Sequence, residues 1–203
     1  MIETKIRLSQ KEMELVNDAD VILTKNTILQ KAQLILGHIA EHQQKLISNR
    51  KNRLADGLVH TSPKISRGEN YKGLPWLMLD YPRKFEKENF FAIRTMFWWG
   101  NFFSITLHIS GQYQKLFSSK VILSHQRLKE EEFYVCRNNE QWEHHFENEN
   151  YLQISMIDKK QFEEIIQRSD FFKLSFKIPI ERWDEAIDIL LEKFRFLIEI
   201  LEN

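Results

Sequence analysis

His38-Ile39-Ala40-Glu41-His42 has H-x-x-E-H spacing, which on a helix sets two imidazoles at i and i+4 on one face. Two such histidines can share a zinc ion, and the glutamate between them can activate a metal-bound water. A catalytic site needs a third protein ligand, and none is evident near these five residues. His144, His145 and Glu147 form a separate polar cluster far downstream. We therefore assign no metal and expect no cofactor. Other enzyme signatures are missing: there is no G-x-S-x-G elbow and no G-x-G-x-x-G after a strand. The single cysteine, Cys136, sits mid-strand beside Asn138-Asn139, whereas nucleophilic thiols favour helix N-termini.

The most specific constellation lies in two aromatic, β-branched runs, 90–99 and 102–109, joined at Gly100-Asn101. A two-residue turn there pairs residues whose numbers sum to 201. One face then carries Trp98, Met96, Arg94 and Ala92 against Phe103, Ile105, Leu107 and Ile109. That face is core-like except for Arg94, whose burial requires a counter-charge such as Asp80. Otherwise its guanidinium offers a fork to a carboxylate or phosphate. The other face carries Trp99, Phe97, Thr95, Ile93 and Phe91 against Phe102, Ser104, Thr106, His108 and Ser110. Aromatic walls, hydroxyls and one imidazole together suit a ligand-binding surface.

Charge adds a second signal. Between 50 and 84 lie Arg50, Lys51, Arg53, Lys64, Arg67, Lys72, Arg83 and Lys84, against only Asp56, Glu69 and Asp80. Tyr71, Trp76 and Tyr81 interleave with them. The expected site is a cleft between this segment and the hairpin, with Arg83 and Arg94 as anion contacts. Tyr81, Thr95, Trp99, Thr106 and His108 complete the candidate ligand-binding set. The leading reading is a non-catalytic binding module for a small anionic ligand. One alternative is a hydrolase without a recognisable motif, using His108 with Asp80 or a metal at His38 and His42. A protein-interaction subunit is the third.

The elements that must hold these residues follow from periodicity. The 203 residues suffice for one α+β domain, and 29 acids balance 29 bases, so no global field draws the chain to nucleic acid. Neither a secretory h-region nor an apolar run of roughly 18 residues is present, which predicts a soluble, cytoplasmic protein without a membrane span. Ser9 and Glu12 have capping-box spacing, and helical apolar spacing runs over 8–49, with a break at Asn26-Thr27, as a helical hairpin. Gly57, Gly68, Gly73, Pro63 and Pro75 mark 50–75 as a long basic loop.

The region 76–179 reads as an antiparallel or mixed sheet of about six or seven strands with intervening helices. It includes a turn at Asn138-Asn139 between runs 133–137 and 140–146, a strand at 151–157, and a strand at 171–178 whose Lys173, Ser175 and Lys177 face out. A long C-terminal helix, 180–203, carries Trp183, Ile187, Leu190, Phe194, Leu197 and Leu201 on one face. Ile189, Phe196 and Ile200 widen that apolar arc, and a homodimer through this helix is one way to bury the surplus.

Overall fold

Ser9 and Glu12 close the expected capping box: Ser9 N–H donates to Glu12 Oε2 at 2.7 Å and Glu12 N–H to Ser9 Oγ at 3.3 Å. In the computed structural model, which describes residues 6–50, 58, 60–168 and 170–202, this box starts α1 (Gln10–Asn17). Asp18 ends α1, accepts the Asp20 N–H at 3.0 Å and so caps α2 (Ala19–Asn49). The break expected at Asn26-Thr27 does not occur. Thr27 Oγ1 donates back to the Leu23 carbonyl at 3.0 Å, and the helix continues through it. The two N-terminal helices are therefore very unequal.

Seven strands follow, all antiparallel: β1 (Lys64–Tyr71), β2 (Leu74–Phe85), β3 (Phe90–Trp98), β4 (Phe102–Ser110), β5 (Tyr134–Cys136), β6 (Tyr151–Gln153) and β7 (Phe171–Pro179). Their spatial order is β1-β2-β3-β4-β7-β5-β6. Helices α3 (Gln112–Leu123), α4 (His125–Glu130) and α5 (Lys159–Arg168) lie in the long β4-to-β7 connection. Asp158 and Gln161 cap α5 reciprocally, as their spacing suggests. A short 3₁₀ turn (Ile180–Glu185) leads into α6 (Ala186–Leu201). Among the described residues no helix is long and apolar enough to cross a membrane.

The segment read as a long loop contains β1 and its turn. Lys72 and Gly73 take φ of 49° and 82°, the left-handed pair that a two-residue hairpin turn requires. As an edge strand rich in polar residues, β1 shows no apolar alternation, so its sequence resembles a loop. Lys51, Arg53 and Asp56 lie outside the described residues. The runs 133–137 and 140–146 do not pair either. β5 pairs with β6 and β7, while 140–146 crosses the sheet without forming a strand. The strand expected at 151–157 stops at Gln153 and becomes a 3₁₀ turn, Ile154–Met156.

One sheet face packs against α2 and α6. Leu77, Leu79, Phe91, Ile93, Phe97, Phe103, Ile105, Leu107 and Ile109 meet Leu36, Ile39, Leu190, Phe194 and Leu197 in one core. The wide apolar arc of α6 is used within the chain: Phe196, Ile198 and Ile200 are buried along with Leu190, Phe194 and Leu197. Solvent-exposed apolar side chains instead occupy α1 and the start of α2, where Met13, Val16, Ile22 and Leu23 are each 50% exposed or more. Buried residues on α2 begin only at Ala32. Leu34 and Leu36, two positions apart, thus stand in opposite environments, at 74% and 0% exposure. Urea unfolding should show Leu36→Ala losing about 2–5 kcal/mol, while Leu34→Ala stays within about 0.5 kcal/mol of the parent.

Candidate functional site

The register of the central hairpin decides which polar residues meet. Trp98 pairs with Phe102, so opposed residues sum to 200 rather than 201, and the connection is Trp99-Gly100-Asn101 with Gly100 at φ 68°. A shift of one position moves one strand's side chains to the other face relative to its neighbour. Arg94 therefore shares a face with Thr106 and His108, opposite the helices. Thr95 joins the helix-side core with its hydroxyl buried and without a partner. Tyr81 also belongs to that core. Trp99 lies in the hairpin loop beside Ile28, Phe97 and Trp183, at an apolar hollow on the helix side. Of the expected set, Arg94, Thr106 and His108 come together on one face; Arg83 shares that face by register but directs its guanidinium to the Ser62 carbonyl, and Tyr81, Thr95 and Trp99 lie elsewhere.

Strand pairing arranges this second face in two polar rows. One row runs Asp80, Arg94, Thr106, Ser175. The next runs Arg83, Ala92, His108, Lys173, and continues across β5 to Cys136 and Tyr151. Lys173 and Ser175, expected to face water, are both 0% exposed. They do point away from the helices, but residues 137–150 fold over them. Lys173 and Ser175 are the residues that strand periodicity alone misses, because an alternating polar side chain reads as solvent-facing whether or not a loop covers it.

Arg94 forks onto Asp80, with Nε to Oδ1 at 2.7 Å and Nη2 to Oδ2 at 3.3 Å, while its Nη1 is buried without a partner. This is the counter-charge that the sequence suggested. Phe90 and Trp142 flank the guanidinium, each centroid 5.7 Å from Cζ. Lys173 Nζ donates to the carbonyls of Gln141 at 3.0 Å and Glu143 at 2.5 Å. Among the described residues Lys173 forms no ion pair. Burial pulls its ammonium from an ordinary 10.5 down to about 8. Thr106 and Ser175 share a hydrogen bond of 2.7 Å. Burial raises both the Cys136 thiol and the Tyr151 phenol, so each remains protonated near neutrality.

His108 is fully buried beside Phe90 and Trp142, with ring centroids 4.4 and 5.4 Å away. Its Nε2 meets Gln141 Oε1 at 3.2 Å, and its Nδ1 is buried without a partner. Burial, then the cationic Lys173 and Arg94, hold its pKa well below 6.5. Burial and the same two cations act likewise on His144. No carboxylate orients His108 among the described residues, so the acid–base dyad weighed from the sequence lacks its second member.

The remaining basic residues are dispersed or neutralised. Arg50 pairs with Glu202 at 2.9 Å, Lys72 approaches Glu143 at 3.9 Å, and Arg83 Nε donates to the Ser62 carbonyl at 3.1 Å. Arg67 lines a different cavity, of about 500 Å³, between α2 and the β1–β2 edge. His38 and His42 do meet, with ring centroids 4.2 Å apart on α2, yet no third ligand joins them among the described residues. No known family model matches the chain, and no curated protein resembles it closely enough to count as a relative.

The two neutral histidines make acid destabilising. Below about 6.5 the unfolded chain binds protons that the folded chain excludes, so stability is fully present above that value and falls as the pH drops. Urea unfolding at pH 5, 6 and 7 should show stability rising with pH, by at most about 1.4 kcal/mol per unit for each histidine. His108→Gln should flatten that rise; an unchanged slope would remove His108 as its source.

Proposed function

We propose that this chain is a non-catalytic binding protein for a small anionic ligand, taken up against Lys173 and Arg94 beneath Trp142. The observation that carries this reading is the buried ammonium of Lys173, which among the described residues meets two carbonyls and the Cys136 thiol but forms no ion pair with a carboxylate. Removing such a charge from water costs several kcal/mol unless a counter-charge compensates. Arg94 Nη1 and His108 Nδ1 are further buried polar atoms without partners on the same face. Asp80 balances Arg94, while Glu143, the carboxylate whose charge reaches Lys173, is engaged by Tyr71 and His145, so a bound carboxylate or phosphate would compensate Lys173 more directly. Trp142, 49% exposed, stands between this cluster and solvent and is the group whose movement would admit a ligand.

The reading rests on charge and desolvation, not on chemistry performed. His108 has an amide partner where a hydrolase would place a carboxylate, and Cys136 is a buried thiol held protonated.

A thermal-shift screen with small carboxylates and phosphates tests it. A ligand at one hundred times its dissociation constant adds about 2.7 kcal/mol to stability. Lys173→Met removes the desolvated charge but leaves the Gln141 and Glu143 carbonyls without their donor, so its circular dichroism and melting are measured first to show that the fold is retained. The stabilisation by anions should disappear in that variant. Equal shifts in Lys173→Met and the parent would overturn the assignment.

A further inference from the structure

The loop that covers the polar rows carries a second constellation with a different chemistry. Glu143, His145, Glu147 and Glu149 alternate along it. His145 is 4% exposed, and its two ring nitrogens have different surroundings. Nε2 lies 3.3 Å from Glu143 Oε2, and that carboxylate is itself fixed by the Tyr71 hydroxyl, which donates to it at 2.9 Å. Tyr71 in turn accepts the His144 and His145 N–H groups at 2.7 and 3.1 Å. Nδ1 faces the other way, 3.4 Å from the Glu147 N–H and 3.7 Å from Glu147 Oε2. Because Nδ1 accepts from the Glu147 N–H, the ring's proton is assigned to Nε2, toward Glu143, and the Nδ1 edge lies beside the Glu147 carboxylate.

The one donor that reaches Nδ1, the Glu147 N–H, does so only at 3.4 Å, and an imidazole nitrogen with two carboxylates beside it is a donor set that favours a cation. One ligand atom each from His145, Glu147 and Glu149 falls within 4.8 Å of the others. A proton on Nδ1 could bridge to only one carboxylate, whereas a metal ion serves all three groups. Zinc bonds of about 2.0–2.2 Å put tetrahedral ligand atoms about 3.5 Å apart, so the carboxylates need to close by roughly an ångström. Both glutamates are exposed, so their carboxylates have room to rotate inward, while the imidazole is buried and held by Glu143. A carboxylate that orients a histidine through its far nitrogen is the usual support of a metal-bound imidazole, and Glu143 supplies it here.

We propose that His145, Glu147 and Glu149 form a binding site for a divalent transition-metal ion of the zinc type, with Glu143 as the residue that positions His145. One nitrogen and two oxygen donors suit such an ion better than magnesium or calcium, which take oxygen ligands. The remaining coordination positions open to water. The site is independent of the anion reading, since neither Lys173 nor Arg94 contributes a ligand.

Isothermal titration of the chelator-treated full chain with zinc chloride tests it. One zinc ion should bind per site, and Glu147→Gln or Glu149→Gln should weaken it about tenfold or more. These two side chains are exposed, so both variants should retain the parent's circular dichroism, whereas replacing buried His145 endangers folding. His42→Ala separates this site from the exposed pair on α2 and should leave the affinity unchanged. Zinc binding lost in His42→Ala but intact in Glu147→Gln and Glu149→Gln would overturn the proposal, as would no zinc binding at all.

Discussion

The central strands are buried on both faces, and this constraint shapes everything laid over the second face. Helices α2 and α6 cover one side with apolar contacts, which need no particular partners. The other side buries Asp80, Thr106, His108, Lys173 and Ser175, each of which must find a hydrogen bond or bear the cost of going without. Arg94 and Asp80 meet that demand across adjacent strands, and Thr106 and Ser175 across the next pair. Lys173 has the Cys136 thiol beside it, and the covering segment turns two of its own carbonyls inward to it. The path of residues 137–150 is thus tied to the polarity of the strands beneath.

That covering segment is held by β1 as well as by the central strands. Tyr71, at the β1 turn, accepts two of the segment's N–H groups and donates to Glu143. Burial of this hydroxyl beside an acidic partner pushes its pKa up to about 12, so it stays a donor across the physiological range. Trp98 packs edge-on against the same ring, at 5.0 Å. The edge strand, the least sequence-evident element of the sheet, therefore anchors the loop that closes both candidate sites. At its middle, Gly68 lies so close to the Trp76 indole that a Cβ would stand 2.6 Å from Nε1.

Replacing a buried ion pair such as Arg94–Asp80 with well-packed apolar residues is often neutral or stabilising, so the pair is weak evidence of a structural need. A buried cation without an ion pair is a poor device for holding a fold together. Its presence in a strand that otherwise has an apolar core face gives a reason to look for a ligand there. Among the described residues the helix side has Gln43, Thr95 and His125 as buried side chains with polar atoms lacking partners, and none of them carries a full charge as Lys173 does. Buried charge, carried by Asp80 and Lys173 on the second face of the sheet, is what localises the candidate site.

Much of this architecture was legible in the amino-acid sequence because local rules suffice for it. Capping at Ser9, apolar spacing along α6, strand alternation in 171–178 and the Arg94–Asp80 charge pair all arise from residues close in sequence or strongly typed by chemistry. Three things were decided only by tertiary structure. The hairpin loop could be counted as two residues or three, and that single count exchanged the companions of Arg94. The exposure of Lys173 and Ser175 depended on whether a segment some 30 residues earlier in the chain lay over them, which no periodicity within β7 records. The pairing of β5 with β6 rather than with 140–146 depended on the same segment, released from the sheet to cover it. Short-range preferences determine elements, but which polar groups share one buried surface is settled by contacts far apart in sequence, where desolvation costs select the arrangement.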